Sequence, residues 1–281
     1  MRFMRQFIFT FIAILCIGAS PSLFKGINIH PIKFLIEIWH NLNLLLHPNQ
    51  LTYGKETVRP LIPDVFDPFF YSMVILLGGV ILSLLFSIVL AFITFSLGKK
   101  WADGAVYISS YIEAIPDIFV IAILQLGIVW VYKMFGNVQV SFVSLGTDRI
   151  YIIPIIILSI LPSFYLFRLE IRAFIEENEK QYTEFALGKG LSKFQIIFRH
   201  IFRNTVGSLY FNSKHMIWLM LSNLFMVEYF FNMYGIMMFI YQYHSPIVLT
   251  VCLLLIFLLF YGILLLTEAL LKPWLRMSGD I

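Results

Sequence analysis

Gln181-Tyr-Thr-Glu-Phe-Ala-Leu-Gly-Lys-Gly-Leu-Ser-Lys-Phe-Gln-Ile-Ile-Phe-Arg-His-Ile-Phe-Arg-Asn204 is a polar island between two long apolar segments. Lys180, Lys189, Lys193, Arg199 and Arg203 make it basic, and Glu176, Glu177, Glu179 and Glu184 lead into it. Helix formers on either side of Gly188 and Gly190 predict a short helix, a tight glycine turn and a second helix opening at Ser192.

Working outward, the chain around this island is too apolar for a soluble domain. Of its 281 residues 60% are hydrophobic and 13% charged, and the mean hydropathy is +0.86. The class is therefore a polytopic all-α membrane protein. The net charge of +4 comes from cations clustered beside apolar runs, where they set orientation in a bilayer rather than bind nucleic acid. Cys16 and Cys252 both lie inside apolar runs, so neither a disulfide framework nor a paired metal site is indicated.

The apolar runs number six, at about 7–24, 69–97, 106–135, 150–169, 206–231 and 247–271. Each supplies the roughly 20 residues that cross a bilayer. The first follows Arg2 and Arg5 and reads as a retained transmembrane helix. A cleaved signal peptide is the competing reading, because Gly18-Ala19-Ser20 is a small-residue patch. Pro116 interrupts the third run, and Pro154 and Pro162 are expected to bend the fourth. Between the first two runs, Phe34, Leu35, Ile38, Trp39, Leu42, Leu45 and Leu46 recur at helical spacing. That helix is too short to span. It either lies on the outer surface with Trp39 as an interface anchor or forms the core helix of a small outer domain. The chain thus divides into a first transmembrane helix (1–24), an extracytoplasmic segment (25–68) and a five-helix core (69–281) carrying the basic loop at 181–204.

Orientation follows from the cations. With the amino terminus inside, the outer segments hold only Lys25, Lys33, Lys55, Arg59, Lys133 and Arg149, leaving 14 of the 20 Lys and Arg residues on the inner side. Both termini and the 181–204 loop are then cytoplasmic.

Here the residues resemble a family. Glu184-Phe185-Ala186, three residues, then Gly190 is similar to the cytoplasmic loop of ABC-importer permeases, with Phe185 in place of the usual middle alanine. Tyr182, Gly188-Lys189-Gly190-Leu191-Ser192, Arg199-His200 and Arg203-Asn204 resemble more closely the oligopeptide, dipeptide and nickel permeases. Ile115-Pro116 with Phe119 resembles the third-helix proline motif. The run from Glu228 through Phe231 to Gly235, with Tyr234 where proline is usual, resembles the motif at the outer end of the fifth helix. Lys272-Pro273-Trp274-Leu275-Arg276 resembles the terminal motif, with Lys272 replacing its acid. The resemblance implies a six-helix, type I ABC-importer permease in a bacterial inner membrane. It also implies a second permease subunit, two cytoplasmic ATPases that bind the ATP, and an outer solute-binding protein. The loop would be a coupling helix seated in an ATPase groove. Its residues would be Glu184, Phe185, Ala186, Gly188, Lys189, Gly190, Leu191, Lys193, Phe194, Ile197, Arg199 and Arg203. Phe185, Ala186, Phe194 and Ile197 are the expected anchors. An ordinary basic loop at a membrane surface is the bland alternative. Peptides are the first expected cargo, with nickel or other metal chelates as an alternative and an ion-driven carrier as a rival of another class.

Catalytic motifs do not emerge. Gly188-Lys189-Gly190 lacks the upstream glycine and the hydroxyl residue of a phosphate-cradling loop, so this chain is expected to be a transport subunit and not an enzyme. Translocation-path candidates are Glu113, Pro116, Asp117 and Glu228. Glu113 and Asp117, four residues apart, would share one helix face, either as an acidic patch on the path or as a wetted pair at a helix end. Glu228 reads as a gate or turn contact. Lys214 and His215 either snorkel or face a pore. The methionines at 216, 220, 226, 233, 237 and 238 form a soft-metal relay or fill helix packing, and packing is the commoner use. His40 and His47, one heptad apart, are either a metal pair or lone histidines.

Overall fold

The computed structural model describes residues 2–25, 28–54, 57–135 and 149–275, which fall into two compact units. Lys55 and Arg276, both counted in the orientation argument, lie outside the described residues, as does the end of the Lys272–Arg276 motif.

The first unit holds residues 1–73 and 234–267. Helix α1 (Arg2–Leu23) is followed by a two-residue strand pair, β1 (Phe24–Lys25) with β2 (Asn28–Ile29), and α2 (Pro31–Leu46). The pairing of Phe24 with Ile29 reverses the chain, so α2 packs back along α1 instead of lying alone on a surface. Trp39 stays exposed on it. The strands β3 (Thr52–Tyr53) and β4 (Arg59–Pro60) lead into the short α3 (Leu61–Asp64). Tyr53 donates to Asp64 at 2.8 Å and stacks edge-on against Tyr243 of α11 (Ile236–Tyr243), 4.6 Å between centroids. Burial, then the Asp64 carboxylate, pushes the Tyr53 phenol up to about 12, so it remains a donor. The long α12 (Pro246–Leu275) packs on α1 through Phe7, which meets Phe257 and Tyr261. Gly18 is the close approach: a Cβ there would lie 1.9 Å from Thr250 Oγ1. Gly18 and the fully buried Ala19, two of the three residues in the small-residue patch, serve helix packing here.

The second unit holds residues 74–233 and 268–281. It contains most of α4 (Phe66–Ser96), then α5 (Lys99–Glu113), α6 (Asp117–Phe135), α7 (Ile152–Asn178), α8 (Gln181–Gly188), α9 (Lys193–Ile196) and α10 (Phe202–Phe230). Helix α7 is its axis, flanked by α5 and α10. On the α4 side, Gly78 faces the end of the Ile155 side chain and Gly79 faces the Met220 methyl, each within 3 Å of where a Cβ would lie. Ser83 donates to the Ser159 carbonyl at 3.1 Å. Small residues let these backbones approach, and hydroxyls satisfy carbonyls that no water reaches.

The third apolar run is interrupted at Pro116, as expected: α5 stops at Glu113, and α6 starts at Asp117 after an 86° turn. Pro116 forces this, because it disfavours helical geometry at Ile115 and has no N–H to continue the ladder. Its carbonyl instead begins α6, accepting from Phe119 and Val120. The fourth run does not end at Leu169. Helix α7 continues to Asn178, so Arg168 and Arg172 are helical residues rather than loop cations. Among the described residues four stretches are long and apolar enough to cross a membrane: Met4–Leu23, Leu61–Ser96, Ile152–Asn178 and Pro246–Leu270. The bent α5–α6 pair makes a fifth if taken as one span. Helix α10 is 29 residues long but is not among them, since it carries Asn212, Lys214, His215, Asn223 and Glu228.

Gly18→Val should cost about 1–3 kcal/mol through overpacking against Thr250. Thermal unfolding of the purified chain should show a lowered midpoint, and Thr250→Gly should recover part of it; an unchanged midpoint would refute the close packing of α1 on α12.

Candidate functional site

The loop from Lys180 to Asn204 folds by local rules at each step. Lys180, in extended geometry, ends the run of α7 and starts α8. Gly190 closes α8 with φ +80°, a left-handed residue where glycine pays no Cβ penalty. Its N–H donates to the Leu187 carbonyl at 2.9 Å, and that of Leu191 donates to the Ala186 carbonyl at 3.3 Å. This pair of bonds is the Schellman closure of a helix. Ser192 then opens α9 with a capping box: its Oγ accepts from the Gln195 N–H at 3.3 Å, and its own N–H donates to Gln195 Oε1 at 3.0 Å. A single π turn, Ile197–Ile201, joins α9 to α10. The predicted helix, glycine turn and second helix at Ser192 are all present.

The loop has two faces. Ala186, Ile196, Ile197 and Ile201 are buried against Ala91, Ala102, Phe167, Ile171 and Phe174 of α4, α5 and α7. Phe185, Leu187, Phe194 and Phe198 project outward, 71%, 53%, 66% and 59% exposed. Of the four expected anchors, Ala186 and Ile197 are buried against this chain's own core, whereas Phe185 and Phe194 are exposed. Leu187 and Phe198 share the outer face with Phe185 and Phe194. Phe194, Phe198 and Phe202 stack at four-residue intervals, and Phe202 continues onto Phe92 and Phe174. An aromatic column thus runs from the exposed face into the core. Glu184, Gly188, Lys189, Gly190, Lys193, Arg199 and Arg203 all lie at the surface, and Leu191 is half-buried. The Lys189 ammonium stands 5.2 Å from the Phe185 ring centroid. Beside them, a shallow hollow of about 500 Å³ is lined by Gln181, Tyr182, Phe185, Ala186, Lys189, Leu191 and His200.

Two carboxylates of α7 hold α10 and the loop, and the sequence reading assigned neither a role. Glu170, buried, accepts from Thr205 Oγ1 at 2.9 Å. Glu177, also buried, accepts from the Tyr182 hydroxyl at 2.7 Å and the Asn204 amide at 2.8 Å. Burial, then this bond to Glu177, holds the Tyr182 phenol above its ordinary value, so it stays a donor. A signal was available: Glu170, Phe174 and Glu177 recur at the spacing of one helix face, whereas Glu176 and Glu179 fall off it and are exposed.

The path candidates separate. Glu113 and Asp117 do not share a helix face, because the α5–α6 break lies between them. Arg168 donates to Glu113 twice, Nε at 2.6 Å and Nη2 at 2.5 Å, fixing the end of α5 to α7. Asp117 accepts from Asn223 of α10 at 2.6 Å. Pro116 makes the break itself. Glu228 is fully buried, and its carbonyl accepts from Met233 at 2.8 Å, closing α10 over the left-handed Asn232. Lys214 folds back along α10 to within 4.1 Å of the Tyr210 ring centroid. Met216, Met220 and Met233 are buried in helix packing. His47 is bonded to the Asn43 carbonyl of its own helix.

Residues 83–276 match the family model described as binding-protein-dependent transport system inner membrane component. No curated protein matches the chain.

A Cβ at Gly190 meets open space, so substitution there costs backbone conformation alone. Gly190→Val should lower stability by about 1–2 kcal/mol and Gly190→Asn by less, since asparagine tolerates this geometry; equal losses in thermal unfolding would refute the left-handed closure. Arg168→Met should cost about 2–3 kcal/mol by leaving Glu113 unpaired, and adding Glu113→Gln should restore most of it. Failure of the second change to restore the melting temperature would show that the pair is not what joins α5 to α7.

Proposed function

The chain belongs to the family of binding-protein-dependent transport system inner membrane components, and from that premise we propose that it is a peptide-importing permease coupled to its ATPases through the 181–204 loop. Membership makes it the membrane transport subunit of an ABC transporter, working with ATPase and binding-protein partners. The ion-driven carrier is thereby set aside.

The finer reading rests on one observation: a loop with its inner face locked into the core and four large apolar side chains held outward. Such a patch on a basic polar stretch is costly in water and suits a groove on another protein. Phe185, Leu187, Phe194 and Phe198 are the contacts, with Glu184, Lys193, Arg199 and Arg203 at the rim setting orientation. The resemblance to oligopeptide, dipeptide and nickel permeases at Tyr182, Gly188 to Ser192, and Arg203-Asn204 supports peptides as cargo, and the excess of Lys and Arg in the inner segments supports a cytoplasmic position for both termini and the loop. Helix α10 completes six spans in this reading, its polar face turned to the path rather than to lipid. Asp117 and Asn223 would stand on that path, and the α5–α6 break is the joint at which it changes shape. Closure of the ATPases on ATP then moves the loops, and the spans follow between inward-open and outward-open states. Such a cycle is driven only if the two states bind the ATPases differently.

Phe194→Ala with Phe198→Ala should leave membrane insertion intact. Uptake and co-purification with the ATPases should both fall by about tenfold or more, as expected when central apolar anchors are truncated. Uptake at the wild-type level with the ATPases still bound would remove the docking role from this face.

A further inference from the structure

Glu177 sits at the end of α7, and its carboxylate is where both ends of the loop meet. Oε1 accepts from the Tyr182 hydroxyl, in the first turn of α8, at 2.7 Å. The same oxygen accepts from Asn204 Nδ2, in the first turn of α10, at 2.8 Å. The Asn204 amide also reaches the Tyr182 hydroxyl at 3.1 Å, and Oε2 pairs with Lys180 at 2.5 Å. The side chain is only 10% exposed, beside a stretch of chain that is otherwise polar and wet. Hydrogen bonds to an ionised acceptor are roughly twice as strong as neutral ones, and less water competes here.

Two joints flank the loop. One is Lys180, whose extended backbone breaks α7 from α8. The other is the π turn at Ile197–Ile201, where the regular helical ladder between α9 and α10 is interrupted. A push on the exposed face could be absorbed at either joint by local bending. The Glu177 carboxylate bridges both, because its partners lie on the far side of each: Tyr182 beyond Lys180, and Asn204 beyond the π turn. Apolar burial of Ala186 and Ile197 seats the loop on the core, and such contacts are non-directional. The directional bonds to Glu177 fix its angle.

We infer that Glu177 is a positioning residue that locks the two joints of the loop, so that a push on α8 and α9 is delivered to α7 and α10 as one body. This rests on the docking reading above. The locked unit makes transport stoichiometric with hydrolysis; an unlocked one lets the ATPases dock and turn over while the helices lag.

The test compares uptake with ATP hydrolysis in proteoliposomes holding the whole assembly. Glu177→Leu keeps the volume and removes every acceptor. It should retain the ATPases and their hydrolysis while uptake per ATP falls about fivefold or more, the lower end of typical coupling between sites. Glu177→Gln, which keeps one acceptor oxygen for Tyr182 and Asn204, should recover much of the ratio. Adding Tyr182→Phe to Glu177→Leu should cause no further loss, because both act through one contact. Should Glu177→Leu fail to assemble, Tyr182→Phe with Asn204→Leu leaves the carboxylate in place and should show the same drop. A wild-type ratio in whichever variant assembles overturns the inference. If the wild-type assembly forms with Phe194 still reactive to solvent probes, the docking reading has failed and takes the inference with it; if Phe194 is shielded and the ratio unchanged, only the role of Glu177 has failed.

Discussion

A surface loop can transmit force only if its inner face is held more firmly than its outer face is pulled. In this chain the holding is apolar. Ala186, Ile196, Ile197 and Ile201 enter a core built by Phe174 and Ile171 of α7 with Ala91 of α4 and Ala102 of α5. The ring of Phe174 meets Phe92 and Phe95 edge-on, and Phe202 meets both Phe92 and Phe174. Helices α4, α5, α7 and α10 therefore all reach the seat of the loop. Dense aromatic packing deforms little, so the loop and its seat form one stiff unit.

Polar groups do a different job. In hydrocarbon an unpaired charge or amide is expensive, and the chain answers with pairings between helices. Glu113 meets Arg168, Asp117 meets Asn223, Glu170 meets Thr205, and Ser83 meets the Ser159 carbonyl. Each joins two helices at one height along the bundle. Sliding one helix past another would separate these pairs, whereas rigid rotation of the group preserves them.

Local geometry at the two helix ends follows the same economy. Gly190 ends α8 and Asn232 ends α10, both left-handed, both with the carbonyl of the last turn answered from beyond the turn. Glycine suits the exposed loop because no side chain is wanted at its apex. Asparagine serves after Glu228, where the next residue, Met233, must be buried.

Much of this was legible in the residues themselves. Apolar length marked four of the spans, glycine and serine marked the loop turn, and Pro116 marked the break, because those signals are local. Which residues face inward was not legible. Ala186 and Phe185 are adjacent and both apolar, and only the seat formed by α4, α5 and α7 makes one an internal contact and the other an external one. Glu113 and Asp117 have helical spacing, yet the 86° turn gives them separate partners. Glu177 stands among three other acids, and only the return of α10 beside the end of α7 brings Asn204 to it. The sequence by itself determined a membrane-embedded helical chain with a structured basic loop, since composition and backbone preference act residue by residue. Pairing across helices depends on where distant segments meet, and that was decided by tertiary packing.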